Sequence, residues 1–294
     1  MTAIRPRRSV LYMPGANERA LEKAKSLPAD SLILDLEDAV APEAKVEARV
    51  RVCAAVKAGG YGPRELVIRV NSPDTEWGED DIKAACAAGP DAILAPKVDS
   101  ADDIARLDAA MKSAPGDKTP ALWVMIETPL AILNIKEIAA EAKRSHLTGF
   151  VMGTNDLIKD FRAEPLADRS NLATTLTLAL AASRAYDLLA FDGVYNDIQN
   201  TDGFAAECRQ GRAFGFDGKT LIHPSQLDPC NEIYAPAPDA VAHARDVIAA
   251  FAEPENKGKG VLKVNGKMTE LLHLAQAERM VAMAEAIAQR EQAQ

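Results

Sequence analysis

The segments AILAPK (92–97), LWVMIE (122–127) and FVMGTND (150–156) share one pattern. Each is a short apolar run that ends at, or is soon followed by, a charged side chain: a lysine, a glutamate and an aspartate. In a closed parallel barrel the carboxyl ends of all strands meet at one mouth, where such folds carry their catalytic residues. The pattern therefore predicts a barrel whose chemistry lies at the strand ends.

Further apolar runs bring the number of predicted strands to eight. These strands span residues 8–14, 31–38, 66–71, 92–98, 122–128, 149–156, 188–196 and 217–224. Ala-rich segments with apolar residues at helical spacing lie between them, for example NERALEKAKSL (17–27). Parallel strands with crossover helices require this alternation. A doubly wound open sheet is the alternative, but eight strands without a Gly-rich dinucleotide loop favour a (β/α)8 TIM barrel in the α/β class.

The alternation ends after HPSQL (223–227). A helical segment follows, and VLKVNGKM (261–268) then predicts a hairpin with an Asn-Gly turn. We expect residues 1–228 to form the TIM-barrel catalytic domain and residues 229–294 a C-terminal helical and hairpin extension. The apolar stripe of the last helix either packs on its own domain or covers a neighbouring subunit.

Composition narrows the classes of function. The 294-residue chain carries a net charge of -9, from 34 basic and 43 acidic residues, so it should repel nucleic acid. No stretch of 18 uncharged apolar residues predicts a membrane span, and the first residues lack an apolar run of signal length. Four dispersed cysteines form no zinc-ligand pattern and suit a reducing compartment. We expect a cytoplasmic protein without nucleic-acid or membrane partners.

Glu127 and Asp156 are the strongest chemical signal in the sequence. They lie one strand-helix unit apart, so barrel geometry would place their carboxylates side by side at the mouth. Mg²⁺ suits a site that offers one or two carboxylates, because it retains several waters. The alternative is that each acid only caps the helix that follows it.

Arg69 lies inside the apolar strand segment LVIRVN (66–71). A buried guanidinium needs an anionic partner, because leaving the charge unpaired costs several kcal/mol. Either an internal acid such as Glu37 neutralises it, or it clamps a substrate carboxylate. Glu37 and Asp38 could orient metal-bound waters, or hold Arg69 or Lys97 in a structural network.

Pro14 and Gly15 end the first strand, and Arg19 and Lys23 follow on the next helix. A Gly-containing turn at a helix start offers backbone donors to an anion such as a phosphate. The alternative is that both basic side chains are solvated surface charges.

Several motifs together resemble the CoA-ester lyase family of the HpcH/HpaI aldolase superfamily, which includes the citrate lyase beta subunit and malyl-CoA lyases. The motifs are RSVLYMPGANERALEKA (8–24), LILDLEDAVAPEAK (32–45), IRVN (68–71), APKV (95–98), MIETP (125–129) and FDGKTLIHPSQ (216–226). The resemblance covers nearly the whole chain. DTEWG (74–78), VMGTNDL (151–157), DGVYND (192–197) and AEAIA (284–288) look closest to the (3S)-malyl-CoA thioesterase branch.

The resemblance implies roles for individual positions. Glu127 and Asp156 match the two Mg²⁺ ligands, with Mn²⁺ as an alternative metal, and Glu127 also approaches the substrate. Arg69 matches the carboxylate-binding arginine, and Glu37 and Asp38 match acids near the metal waters.

The resemblance also implies a CoA site and an assembly. Lys23 matches a residue that approaches the CoA phosphates, near Arg19, Pro14 and Gly15, although Asn17 stands where some members have an arginine. The family is usually trimeric or hexameric, so we expect a homo-oligomer, such as a homotrimer, in which a neighbour's C-terminal segment covers the mouth.

Lyase members often carry an aspartate in a GKM-x-D stretch that a neighbouring subunit delivers as the acid-base group. This chain has Glu270 at that place. A displacement of about 1 Å in such a group can cost about 100-fold in rate. Glu270 is therefore the base, a group that activates water, or only a helix-start glutamate.

The function that the resemblance implies is carbon-carbon cleavage. A Mg²⁺-dependent lyase would split a malyl-CoA-type thioester into acetyl-CoA and glyoxylate by a retro-Claisen step. The alternatives are hydrolysis to malate and CoA by a (3S)-malyl-CoA thioesterase, and action as a citrate lyase beta subunit on a carrier-bound citryl thioester.

Overall fold

The computed structural model describes residues 4–292. Within them, residues Arg7–Glu232 form one compact unit, and residues 4–6 with residues 233–292 form a second. No helix in this described part of the chain combines the length and apolar character needed to cross a membrane.

The larger unit is a closed barrel of eight parallel strands in sequential order, with the eighth strand paired to the first. This finding confirms the predicted TIM barrel. The strands are β1 (Ser9–Pro14), β2 (Ser31–Asp35), β3 (Glu65–Arg69), β4 (Ala92–Ala95), β5 (Ala121–Ile126), β6 (Leu147–Met152), β7 (Leu189–Asp192) and β8 (Gly218–Leu221).

Most strands end earlier than the sequence pattern predicts. After β2, the carboxylate of Asp35 accepts hydrogen bonds from the backbone N–H groups of Glu37, at 2.9 Å, and Ala39, at 3.1 Å. This side-chain turn stops the strand at Asp35, where the prediction continued it to Asp38. The acids beyond β2 therefore lie on a loop at the mouth.

Helices follow the barrel strands in the expected alternation, and the last two helices of the chain belong to the smaller unit. The helices are α1 (Glu18–Ala24), α2 (Lys45–Ala58), α3 (Gly78–Ala88), α4 (Ala101–Ser113), α5 (Pro129–Leu133), α6 (Ile135–Ala140), α7 (Thr154–Asp160), α8 (Ala173–Ala185), α9 (Thr201–Phe214), α10 (Leu227–Tyr234), α11 (Pro238–Ala252) and α12 (Leu271–Gln292).

The barrel interior is a packed apolar core. Val10, Ile33 and Val67 of the first three strands pack with Trp123 and Phe191 of β5 and β7, and all five are at most 1% exposed. The rings of Trp123 and Phe191 lie 4.6 Å apart, centroid to centroid. A filled core of this kind leaves the mouth as the place for a ligand.

The smaller unit contains the predicted hairpin, β9 (Val261–Val264) and β10 (Lys267–Glu270), paired antiparallel. Asn265 and Gly266 form the turn with φ of 46° and 81°, the left-handed backbone that an Asn-Gly turn provides. Within this unit, Val247 of α11, Val264 of β9 and Ala277 of α12 are buried together. Helix α12 thus packs against its own unit, while Leu271 and Leu272 at its start are exposed.

Candidate active site at the barrel mouth

A cavity of about 310 Å³, here called the mouth cleft, lies at the carboxyl ends of the strands. Of the residues that the sequence analysis singled out, Asp38, Arg69, Glu127 and Asp156 line this cleft. Its lining includes Tyr12, Asp35, Asp38, Arg69, Met125, Glu127, Gly153, Thr154, Asn155, Asp156, Val194, Asn196 and Thr220. Strands from most of the barrel contribute, as expected for this fold.

Glu127 and Asp156 are brought together by the side chain of Lys97. The Lys97 ammonium lies 2.7 Å from Asp156 Oδ1 and 3.4 Å from Glu127 Oε1. The backbone N–H of Lys97 also donates to Glu127 Oε1 at 2.8 Å, from a left-handed conformation with φ of 55°. The two predicted metal ligands therefore share one cation, and Lys97 belongs to the site although it was not among the predicted site residues.

Gly153 makes room for Glu127. A Cβ atom at position 153 would lie 2.3 Å from the Cβ and 2.8 Å from Oε2 of Glu127, closer than real contacts allow. The end of β6 can therefore approach β5 only with glycine there. Asp156 lies three residues after Gly153, so the same close packing of β6 against β5 places it near the Glu127 carboxylate.

Burial raises the pKa of Glu127, which is 2% exposed, and the nearby charge of Asp156 adds to this effect while Lys97 opposes it. Burial acts to lower the pKa of Lys97, but its hydrogen bond to Asp156 and the charge of Glu127 raise it overall. The carboxylates of Glu127 and Asp156 together therefore favour a bound cation.

Arg69 forms a two-point ion pair with Asp35 of the neighbouring strand. The distances are 2.7 Å from Nε to Oδ1 and 2.7 Å from Nη2 to Oδ2. Both side chains are buried, and the two residues are directly paired in the β2–β3 register. Asp35 was not among the predicted site residues. A buried arginine in a strand needs an acidic partner, and the paired position of a neighbouring strand can provide one. Here the segment LILDLED (32–38) provides Asp35.

The outer nitrogen of Arg69 reaches the two acids of the following loop. Nη1 lies 2.8 Å from Glu37 Oε2 and 3.2 Å from Asp38 Oδ2. Burial raises the pKa of Glu37 to about 8, with Asp38, Glu127 and Asp35 adding to the rise and Arg69 opposing it. Near neutral pH Glu37 is therefore mainly protonated, and Asp35 is the carboxylate that pairs with the guanidinium at two points.

The Tyr12 ring packs against this cluster. Arg69 Cζ lies 4.8 Å from the ring centroid, a cation–π distance, and the hydroxyl contacts Met125 Sδ at 3.6 Å. Burial raises the pKa of the Tyr12 hydroxyl far above its ordinary value. Tyr12 therefore stays neutral and fixes the plane of the guanidinium.

The donor set fits Mg²⁺. Residues 4–292 contain no group of three or more His, Cys, Asp or Glu side chains arranged to hold a metal. Mg²⁺ needs no such group, because one or two carboxylates with waters and substrate oxygens complete its shell. Glu127 and Asp156 are two carboxylates already gathered around one positive charge.

The residues predicted to approach CoA lie on and before α1. Gly15 N–H donates to Asp35 O at 2.9 Å, and Asn17 caps α1 by accepting from Ala20 N at 3.1 Å. Arg19 and Lys23 are exposed, and Lys23 lies in the last turn of this seven-residue helix. Their predicted role in CoA binding remains a prediction.

Glu270 is the last residue of β10 and is exposed. Its backbone N–H donates to His273 Nδ1 at 2.9 Å, which joins the hairpin to the start of α12. The predicted acid-base role of Glu270 remains a prediction.

The fold and this site define a TIM-barrel protein with a carboxylate pair and a buried arginine at the mouth. The chain belongs to the HpcH/HpaI aldolase/citrate lyase family, whose signature matches residues 8–224. A second family, described as a C-C bond lyase of the TIM-barrel fold, matches residues 179–288.

Two curated relatives cover most of the chain. A (3S)-malyl-CoA thioesterase of Cereibacter sphaeroides is 48% identical over 283 residues, 96% of either chain. The citrate lyase subunit beta of Escherichia coli is 38% identical over 273 residues, 90% of this chain and 89% of its own. A solved structure of CitE from Mycobacterium tuberculosis, in complex with magnesium, acetoacetate and coenzyme A, superposes with a TM-score of 0.75 at 29% identity, covering 94% of this chain and 97% of that one.

Proposed function

We propose that the protein hydrolyses a malyl-CoA-type thioester to malate and free CoA, with Mg²⁺ as cofactor. The observation that carries the proposal is the pairing of Glu127 and Asp156 around one cation, in the same cleft as Arg69. The relative at 48% identity is a (3S)-malyl-CoA thioesterase, which favours hydrolysis among the reactions open to such a site.

In this proposal Arg69 binds the free carboxylate of the acyl group. Asp35 occupies the Nε and Nη2 edge, so a substrate carboxylate approaches on the Nη1 side, where Glu37 and Asp38 now lie. A protonated Glu37 reduces the negative charge that the incoming carboxylate meets. The pair with Asp35 holds the guanidinium in place while the ligand exchanges.

Glu127 and Asp156 would hold the metal, with Mn²⁺ as a substitute for Mg²⁺. When bound, the metal supplies positive charge that polarises oxygen atoms of the substrate. The Lys97 ammonium pairs with the same two carboxylates, so a bound metal would replace it there, and its side chain, 40% exposed, has access to solvent.

Hydrolysis needs a group that takes a proton from the attacking water. We assign this role to Glu270, because GKMTE (266–270) resembles the GKM-x-D stretch that carries the acid-base residue of related lyases. Water attacks the thioester carbonyl, the carbon-sulfur bond breaks, and the thiolate of CoA leaves and is protonated. Glu37 and Asp38 act beside Arg69, as proton-holding and charge-balancing groups.

Retro-Claisen cleavage to acetyl-CoA and glyoxylate is the second candidate. The match of residues 179–288 to a C-C bond lyase favours it. The same contacts would bind the same thioester, and Glu270 would remove the proton of the substrate hydroxyl instead of a water proton. Action as a citrate lyase beta subunit is a third candidate, favoured by the relative at 38% identity.

We further propose that the active form is a homotrimer or hexamer, in which the C-terminal extension of one subunit serves the mouth of a neighbour. The support is the resemblance to the family. The test is to mix two single variants, Glu270→Gln and Glu127→Gln, each of which should be inactive alone. The mixture should regain activity if the two residues act across subunits.

The proposed reaction is tested by incubating the protein with (3S)-malyl-CoA and Mg²⁺, with a chelator control, while thiol and glyoxylate are assayed in parallel. Thiol without glyoxylate supports hydrolysis, and glyoxylate without thiol supports the lyase. Neither product from malyl-CoA or methylmalyl-CoA would reject both.

A further inference from the structure

A second cavity of about 350 Å³, here called the side cleft, lies next to the mouth cleft. Ile158 of α7, Leu166 and Ala167 of the loop after α7, Leu172 and Val194 give it apolar walls. The function proposed above makes no use of this cavity.

Arg169 and Glu207 line the side cleft and belong to a buried charge network with Asp192 and Lys219. Arg169 Nη1 lies 2.7 Å from Asp192 Oδ1, and the ammonium of Lys219 lies 2.6 Å from Glu207 Oε1 and 3.1 Å from Asp192 Oδ2. These four side chains are buried and carry two positive and two negative charges. The charges of these four side chains cancel, and the exposed Asp197 adds one acid to the lining. The apolar residues of the lining are the part that suits an alkyl group.

Two asparagines separate the two clefts. Asn196 Nδ2 donates to Asn155 Oδ1 at 2.7 Å, and Asn155 Nδ2 donates to Asn196 Oδ1 at 3.3 Å. Both residues, together with Thr154 and Val194, line the mouth cleft and the side cleft alike. The reciprocal amide pair, here called the amide bridge, therefore forms part of their common wall.

The amide bridge is easily opened. Both side chains are exposed, so water can replace either hydrogen bond at little cost. Asn155 follows β6 on α7, whereas Asn196 lies on the loop after β7. Opening the bridge would join the side cleft to the space in which the acyl group is proposed to bind.

We propose that the amide bridge sets the size limit of the acyl group, and that the side cleft receives an alkyl branch when the bridge is open. This inference rests on the proposed function and adds a specificity-determining pair to it. Closed, the bridge restricts the enzyme to an unbranched malyl group. Open, it admits a branched 2-hydroxydicarboxylic thioester.

Asn196→Ala tests the inference, because it removes the bridge without changing α7, which carries Asp156. The readout is the ratio of kcat/KM for 3-ethylmalyl-CoA to kcat/KM for malyl-CoA. This ratio should rise about tenfold, since one methylene in a pocket changes discrimination by 10–200-fold. The matched control is Gln199→Ala, which removes a carboxamide from the same loop outside both clefts and should leave the ratio unchanged.

A second substitution shows where the branch binds. Ala167 lines the side cleft and not the mouth cleft. Adding Ala167→Phe to Asn196→Ala should fill the side cleft and return the ratio to the value of the unmodified protein.

The outcomes separate this inference from the proposed function. If the unmodified protein turns over malyl-CoA but Asn196→Ala leaves the ratio unchanged, the inference is wrong and the proposed function stands. A gain that persists after Ala167→Phe also overturns it, because the branch then lies elsewhere. If the unmodified protein turns over none of the thioesters, the proposed function fails, and the inference fails with it.

Discussion

Asp35 holds the guanidinium of Arg69 from one edge, with Nε 2.7 Å from Oδ1 and Nη2 2.7 Å from Oδ2. The two residues are register partners on β2 and β3, and their side chains are 1% and 8% exposed. The arginine that is proposed to bind substrate is therefore also an internal part of the barrel. Its outer nitrogen remains directed at the mouth.

Asp35→Asn should destabilise the protein by about 3 kcal/mol, because removing one partner leaves a buried charge without its full compensation. The measurement is the free energy of unfolding in urea. The matched control is Glu47→Gln, which breaks the exposed pair with Arg51 and should cost about 0–1 kcal/mol. Equal losses of unfolding free energy in the two variants would show that the buried Asp35–Arg69 pair contributes no more than an exposed ion pair.

Glu37→Gln should change how stability depends on pH. The Glu37 pKa rises from 4.5 to about 8 on folding, so between these values the folded state binds more protons than the unfolded state. The Glu37 contribution to stability therefore falls as pH rises through this window. Glutamine cannot ionise, so the free energy of unfolding should fall less in the variant than in the unmodified protein between pH 5 and pH 9. The two falls should differ by more than about 1 kcal/mol.

The unfolding free energy of both proteins at pH 5, 7 and 9 checks this expectation. Glu43→Gln, an exposed glutamate of the same loop region, is the control and should follow the unmodified protein. Parallel curves for Glu37→Gln and the unmodified protein would contradict a raised Glu37 pKa.

Lys97→Met should strengthen Mg²⁺ binding, because the ammonium competes for the position between Glu127 and Asp156. A tenfold lower Kd, about 1.4 kcal/mol, is the expected size, measured by calorimetric titration. Lys159→Met is the control, since Lys159 is 76% exposed and lies 3.9 Å from Asp156 and 3.6 Å from Asp160. Weaker Mg²⁺ binding in Lys97→Met would mean that the lysine supports the metal instead of competing with it.

Glu270→Gln should lower kcat about 100-fold, the usual size of a lost general base. The side chain is exposed, so the free energy of unfolding should stay within about 0.5 kcal/mol of the unmodified value. Glu278→Gln, another exposed glutamate of the same unit, should change neither quantity. Full activity in Glu270→Gln would make Glu270 a helix-start residue only.

The fold was predictable from the sequence because apolar strands alternate with helical segments eight times. The meeting of Glu127 and Asp156 followed from the same geometry, since parallel strand ends converge. Both acids lie in the mouth cleft, where Lys97 bridges them.

Other parts of the site depend on strand register and loop path, which a periodic pattern does not specify. The two-point partner of Arg69 is Asp35, because register places them side by side, whereas the prediction had named Glu37 and Asp38 as its candidate partners. The Asn155–Asn196 bridge joins helix α7 to the loop after β7, 41 positions further on, and no local motif marks either residue as its member.

The central claim is that Glu127 helps to hold a Mg²⁺ ion on which thioester hydrolysis depends. The most direct test follows thiol release from (3S)-malyl-CoA by the unmodified protein and by Glu127→Gln, across a Mg²⁺ titration. We expect Mg²⁺-dependent thiol release from the unmodified protein, and a loss of at least about 100-fold in the variant at every Mg²⁺ concentration. Equal rates in the two proteins, or release that continues in excess chelator, would contradict the account.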